Sequence, residues 1–238
     1  MDENEQPRQG ENEFRIKRPL IIGVGASAGS PDSLEGFFAR HTADADQAIV
    51  LVLQHREALD ENRLRGILGR EAGAALAVPG DGDGIEGGTI YLAAAGAITT
   101  IQGDRFAVRP AQQAPGERAT IDSFLVSLAK ERAEQSIGVV LAGTGGDGTL
   151  GVATLKDHGG LAIAQKTPHT ADHLADSSTP AAIADFILPP EQIPEHIQVY
   201  AHHLRRLAEK QGFDDALAAA ASTSSKPCFS SRRRKCRV

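Results

Sequence analysis

Short apolar runs alternate with amphipathic stretches along most of the chain. Arg18–Val24 (RPLIIGV) is a short apolar run that ends in glycines, and Ala48–Leu53 (AIVLVL) is continuously apolar, the pattern of a strand buried on both faces. Ile137–Leu141 and Leu161–Ala164 read the same way. Between these runs the apolar positions recur with the period of a helix. Pro31 opens a stretch with Leu34, Phe37 and Phe38 on one side, Asn62–Arg70 carries Leu64, Ile67 and Leu68, and Ile121–Arg132 carries Phe124, Leu125 and Leu128. Thr149–His158 predicts a further helix, Ala181–Leu188 a short strand, and Glu191–Ala221 a long terminal helix after Pro189 and Pro190. The piece from 75 to 109 is different. A turn, GDGDGIEGG, precedes the β-like segments TIYLAA, AITTI and RFAVR, which predicts an insertion or an antiparallel edge. Residues 110–118 form a Pro/Gln/Gly loop, and no internal repeat occurs.

Strands alternating with helices at these lengths imply an α/β fold: a doubly wound, mostly parallel sheet with helices on both faces and a small β-hairpin insertion. With 238 residues the chain can bury a sizeable core. Residues 1–18 read as a flexible N-terminal segment, 19–205 as the folded body, and 206–238 as the helix end and a basic, disordered tail. The chain carries 25 basic and 31 acidic residues, a net charge of −6. Six of the basic residues lie from Lys226 onward, so the body holds 19 against 31 and nucleic acid is excluded as its main partner. Only Cys228 and Cys236 occur, which rules out a disulfide framework or a cysteine zinc site in the body. With no secretory pattern and no apolar run long enough to span a bilayer, the expected location is the cytoplasm, without membrane insertion.

In doubly wound sheets the working site lies beyond the carboxyl ends of the strands, and three of those ends carry reactive groups. The first strand ends in Gly23-Val-Gly25-Ala-Ser27-Ala28-Gly-Ser30. Small residues around Ser27 permit a sharp strand-to-helix turn that lifts its hydroxyl above the sheet. The same glycines fit a relaxed dinucleotide fingerprint, but the second strand ends in Gln54-His55 where that motif wants an acid. His55 has the side chain suited to a general base near neutrality, although a surface or capping histidine fits a single position equally well. Asp147 follows the strand IGVVL inside GTGGDGT. It suits either an N-cap for the next helix or the carboxylate that orients such an imidazole. The glycines around it would leave backbone N–H groups for an oxyanion.

Taken together, Ile22-Gly-Val-Gly-Ala-Ser27-Ala-Gly, Gln54-His55, Gly143-Thr-Gly-Gly-Asp147-Gly-Thr-Leu-Gly151 and Gly159-Gly-Leu-Ala-Ile-Ala-Gln165 resemble the chemotaxis-type (CheB-like) protein-glutamate methylesterase domain over residues 19–205. The resemblance implies a serine esterase with Ser27 as nucleophile, His55 as base and Asp147 as its orienting carboxylate. Ala28, Thr144 and Gly145 would supply backbone oxyanion donors, and no cofactor or metal is implied. The implied substrates are γ-glutamyl methyl esters on methylated chemoreceptors or other cytoplasmic signalling proteins, with glutamine deamidation as a related activity. The subtype resembles the esterase fused ahead of a methyltransferase in hybrid sensory proteins, so a methyltransferase domain or protein is a further expected partner. The same resemblance carries the expectation of no phosphorylatable receiver domain and of a truncated reading frame. Two loops depart from the family pattern, Ala93–Ala97 and Asp176–Ala182.

Two other classes compete with the hydrolase. Gly145-Gly-Asp-Gly-Thr149 is also the phosphate-binding core of NAD and diacylglycerol kinases, although that reading leaves Ser27 and His55 unused. A methylesterase-like docking or sensory module without catalysis is the other. His169 and His173, spaced as metal ligands, and the Asp81/Asp83 turn, which hints at calcium, lack the remaining ligands and read as a loop and a hairpin turn.

Overall fold

The computed structural model describes residues 18–28, 30–41, 44–54, 60–69, 75–111, 119–142, 145–167 and 179–224. In chain order the elements are β1 (Leu20–Ser27), α1 (Pro31–Phe38), β2 (Gln47–Gln54), α2 (Glu61–Leu68), β3 (Ala75–Ala77), β4 (Thr89–Leu92), β5 (Ala97–Gln102) and β6 (Arg105–Pro110). They continue with α3 (Thr120–Arg132), β7 (Ser136–Val140), α4 (Thr149–Asp157), β8 (Leu161–Gln165), α5 (Pro180–Ile183), β9 (Phe186–Leu188) and α6 (Ile193–Ser224). Residues Arg15–His202 make one compact unit that holds every strand; from His203 onward α6 belongs to a second.

Seven strands form one sheet in the order β3-β4-β2-β1-β7-β8-β9, and every pairing in it is parallel. Successive strand residues point to opposite faces, yet Ile21 and Ile22 are both fully buried, as are Val50 and Leu51. Both faces are therefore covered. On one, Ile21, Val50 and Val140 pack with Phe124, Leu125 and Leu128 of α3 and Val152 and Leu155 of α4. Leu34, Phe37 and Phe38 of α1 and Ile193 and Ile197 of α6 supply buried apolar side chains outside that cluster. Each such side chain contributes about 1.5–3 kcal/mol by leaving water.

The segment from 75 to 109 corrects one expectation. Only β5 and β6 form the antiparallel hairpin; β3 and β4 join the main sheet, with β4 parallel to β2 through Ala48↔Thr89 to Leu51↔Leu92. Thr89–Leu92 is buried at all four positions, which is the condition of an inner strand. The Asp81/Asp83 turn is a hairpin-side staple: Val108 N donates to Asp81 Oδ1 at 2.9 Å and Gly80 N to Asp83 Oδ2 at 2.7 Å. Within Ala181–Leu188 the strand is confined to Phe186–Leu188, because Pro180–Ile183 forms a helical turn.

Strand order reverses at β1: the chain leaves it toward β2 on one side and returns to β7 on the other. A crevice opens at such a reversal beyond the carboxyl ends, and those ends are the last residues of β1, β2, β7 and β8. No helix among the described residues is long and apolar enough to cross a membrane.

Candidate active site

Strand β1 reaches the rim of the sheet at Ser27, where the hydroxyl-bearing residue is 6% exposed. Its register partner on β2 is Gln54. Ala28 N donates to Gln54 O at 3.0 Å and Ser30 N to Ser27 O at 3.0 Å, so the chain turns sharply at the serine before α1 begins. The expected elbow is present. One expected oxyanion donor, Ala28 N–H, is here spent on that sheet-extending bond.

The glycines ahead of Ser27 have a packing role. A Cβ on Gly23 would lie 2.7 Å from Leu125 Cδ2 and 2.8 Å from Phe124 Cε1, and one on Gly25 would collide with Ile121 Cγ2. Helix α3 crosses β1 so closely that only hydrogen fits on these two residues. The spacing that matches a phosphate-binding fingerprint is accounted for by this crossing.

Asp147 lies in the turn between β7 and α4 and is 9% exposed. Its carboxylate collects three hydrogen bonds among the described residues. Gln54 Nε2 donates to Oδ2 at 2.5 Å, Ile121 N to Oδ2 at 3.2 Å and Asp122 N to Oδ1 at 2.9 Å. The last two donors are orphan N–H groups of the first turn of α3, where the helix dipole favours an anion. Asp147 thus caps a helix, but not the one that follows it. The N-cap of α4 is Gly148, with φ +97° and no side-chain cap. Gly148 could not be exchanged for a larger residue: its backbone is left-handed, and a Cβ would sit 3.0 Å from Val140 Cγ2.

The neighbouring turns are fastened as well. Leu141 N donates to Gly25 O and Ala142 N to Gln165 Oε1, both at 2.8 Å, so the end of β8 holds the start of the β7–α4 loop. Gly145 has φ +62°, and a Cβ there would meet nothing within 4 Å, so this is an open position on the rim. Leu150, at the start of α4, is 61% exposed.

The structure therefore gathers Ser27, Gln54 and Asp147 at one rim, with Gly145 on the same loop as the aspartate. His55 and Thr144 lie outside the described residues, as do His169 and His173. Gln54, Asp122 and Gln165 were not among the predicted site residues, although Gln54 and Gln165 each stand at a predicted strand end.

The CheB methylesterase family matches residues 22–197, a span that begins in β1 and ends in α6. The chain belongs to the CheB methylesterase family. It is 35% identical over 158 residues to a Rhodospirillum rubrum protein named protein-glutamate methylesterase/protein-glutamine glutaminase 1, an alignment covering 64% of this chain and 41% of that one. A Rhizobium meliloti protein of the same name, from the group 3 operon, is 30% identical over 184 residues, covering 76% of this chain and 51% of that one. The chain thus spans about half the length, or less, of these curated relatives. The crystal structure of the Thermotoga maritima CheB methylesterase catalytic domain shares the fold, with a TM-score of 0.59, 22% identity, and coverage of 75% of this chain and 96% of that one.

Proposed function

We propose that this CheB-family chain is a serine hydrolase that demethylates γ-glutamyl methyl esters on chemoreceptor-type signalling proteins of the cytoplasm. In this reading residues 19–205 are the catalytic domain. Ser27 is the nucleophile, His55 the general base and Asp147 the carboxylate that orients the imidazole. The observation carrying it is the bond from Gln54 Nε2 to Asp147 Oδ2 at 2.5 Å. The residue immediately before His55 reaches the carboxylate with its side chain, while its backbone is in register with Ser27. Strand ends in a parallel sheet are about 5 Å apart, a spacing that supports assigning the base to the position following Gln54 in the sequence.

A carboxylate offers about four lone-pair positions. Three donors are already placed on Asp147, two on Oδ2 and one on Oδ1. That distribution suits one more donor on Oδ1, the role of an imidazole N–H in this reading. With His55 so held, its other nitrogen takes the Ser27 proton as Oγ bonds to the ester carbonyl carbon. Backbone N–H groups of Thr144 and Gly145 receive the oxyanion. The carbonyl re-forms, the bond to methoxide breaks, and the proton held by His55 leaves on methanol. Water then attacks the acyl-enzyme by the same relay and returns glutamate and free Ser27. A glutamine side chain would follow the same path and release ammonia.

The decisive experiment is methanol release from a methylated receptor fragment, with labelling by a serine-reactive phosphonate alongside. Wild-type protein is expected to do both and Ser27→Ala neither, with circular dichroism unchanged. Folded wild-type protein that neither labels nor releases methanol would establish the docking module instead.

A further inference from the structure

We propose that Asp122 is a positioning residue for the Asp147 carboxylate, acting through a reciprocal brace between the first turns of α3 and α4. This deepens the hydrolase reading and rests on it only for the consequence in turnover. Asp147, just before α4, accepts the N–H groups of Ile121 and Asp122 at the start of α3. Asp122, in that first turn, returns the arrangement: its Oδ1 accepts Gly151 N, in the first turn of α4, at 2.8 Å. Neither helix has a cap of its own, since the N-cap residues are Ala119 and Gly148 and neither makes a side-chain cap bond. Each carboxylate supplies to the other helix what a local Ser, Thr or Asp would supply to its own.

The brace has a consequence for geometry. The segment carrying Asp147 is short, and Asp122 fixes its far end at Gly151 while α3 fixes the carboxylate itself. Ile121 adds a steric stop, because its Cγ2 fills the space that a Cβ on Gly25 or Gly148 would need. Losing the Asp122 bond frees the start of α4 to shift, and the Asp147 oxygens shift with it. Two carboxylates so close also repel. Asp122 titrates above its ordinary range, chiefly through burial, with the Gly151 N–H opposing the rise and the Asp147 charge adding to it. The arrangement holds because each anion has helix N–H groups to itself.

The test uses the full chain with Asp122→Ala, Asp122→Asn and Asp122→Glu, the first also made on an Asp147→Asn background. Asp122→Ala is expected to lower kcat about ten- to hundredfold at unchanged KM, the scale of a small misplacement of a reacting group. Asp122→Asn keeps an oxygen for Gly151 N–H and is expected to restore most of that loss. On the Asp147→Asn background the further loss from Asp122→Ala is expected to shrink to less than about threefold, since the effect passes through Asp147. Equal losses in both backgrounds, or wild-type kcat in Asp122→Ala, overturn the proposal. Should the alanine variant not fold, Asp122→Glu, which moves the oxygen by one methylene, decides by the same kcat comparison. A second readout does not depend on turnover: exchange of the Ile121 amide is expected to accelerate at least tenfold in Asp122→Ala and to recover in Asp122→Asn. Unchanged exchange overturns the brace. Faster exchange in a protein whose wild type neither hydrolyses esters nor labels at Ser27 upholds the brace and removes the hydrolase reading.

Discussion

Gln54 Nε2 donates to Asp147 Oδ2 at 2.5 Å, joining two residues 93 positions apart in the chain. The bond runs from the end of β2 to the loop that leaves β7, and β1 with Ser27 lies between those two strands in the sheet. A hydrogen bond to a charged group contributes about 1.5–3 kcal/mol, enough to make this amide part of the site's framework.

Gln54→Ala is expected to lower the rate of methanol release by at least tenfold and, with the loss of a bond to a buried carboxylate, to lower the urea midpoint by on the order of a molar. Gln54→Glu should be worse, because it sets a second carboxylate against Asp147 where a donor stood. Steady-state kinetics on both variants checks this; equal rates for Gln54→Ala and wild type would show that the amide does nothing for turnover.

Gly25→Ala should destabilise the fold by about 1–3 kcal/mol, the usual cost of overpacking, because its methyl meets Ile121. Gly23→Ala should cost a similar amount by pressing on Leu125 and Phe124. Turnover should separate them. Ile121 N is a donor to Asp147, so displacement of Ile121 reaches the carboxylate, whereas Gly23 acts a turn deeper on α3. Urea unfolding combined with kcat at 25 °C distinguishes the two effects.

His41 sets an acid limit on stability. It is 8% exposed, its ring stacks on Phe37 with centroids 5.8 Å apart, and its Nδ1 has no hydrogen-bond partner among the described residues. Burial lowers its pKa to about 4 from the ordinary 6.5, against the opposing charge of Asp44. Below pH 6.5 the unfolded chain therefore binds a proton that the folded chain refuses. The stability present above pH 6.5 is lost as pH falls toward 4, by up to roughly 3 kcal/mol. His41→Phe, which keeps a stacked ring without a titrating nitrogen, should reduce the difference between urea midpoints measured at about pH 7.5 and pH 5.

Arg132 is the buried cation of the α3 end, with its side chain 2% exposed. Its Nη2 pairs with Asp104 Oδ1 at 2.8 Å and reaches Gly103 O at 3.2 Å, while Nε and Nη1 have no partner among the described residues. Asp104→Ala leaves that guanidinium without its counter-ion and should cost on the order of 3 kcal/mol. Arg132→Met removes the charge along with the need for a partner and should cost less. Thermal unfolding that ranks the two the other way would contradict this account.

The parallel core was legible in the sequence because its strands are continuous apolar runs and its helices repeat every three to four residues. Thr89–Leu92 was misplaced because a short apolar run looks alike in a hairpin and in a buried parallel strand; only pairing with Ala48–Leu51 decides. That Ser27 and Asp147 stand at the rim of the sheet was legible from strand-end position and glycine context. The service of Asp147 to α3 was not, since a cap contributed from 25 residues downstream leaves no local pattern. Asp122 was equally hidden: an acid in a helix's first turn reads as a complement to its own dipole, and its bond to Gly151 crosses to another helix. Gly23 and Gly25 carried an ambiguity that sequence could not resolve, because a phosphate and a closely crossing helix both demand the absence of a side chain.

Gln165, at the end of β8, holds Ala142 through its side-chain oxygen. It is not one of the three groups assigned to the chemistry, and it is only partly covered by its surroundings. A survey of variants that ranked positions by burial or by distance from the serine would treat this residue as expendable. Its constraint comes instead from anchorage: the strand two places away from the reacting centre decides where the glycine segment after β7 starts, so tolerance to change at that position should follow activity rather than thermal resistance.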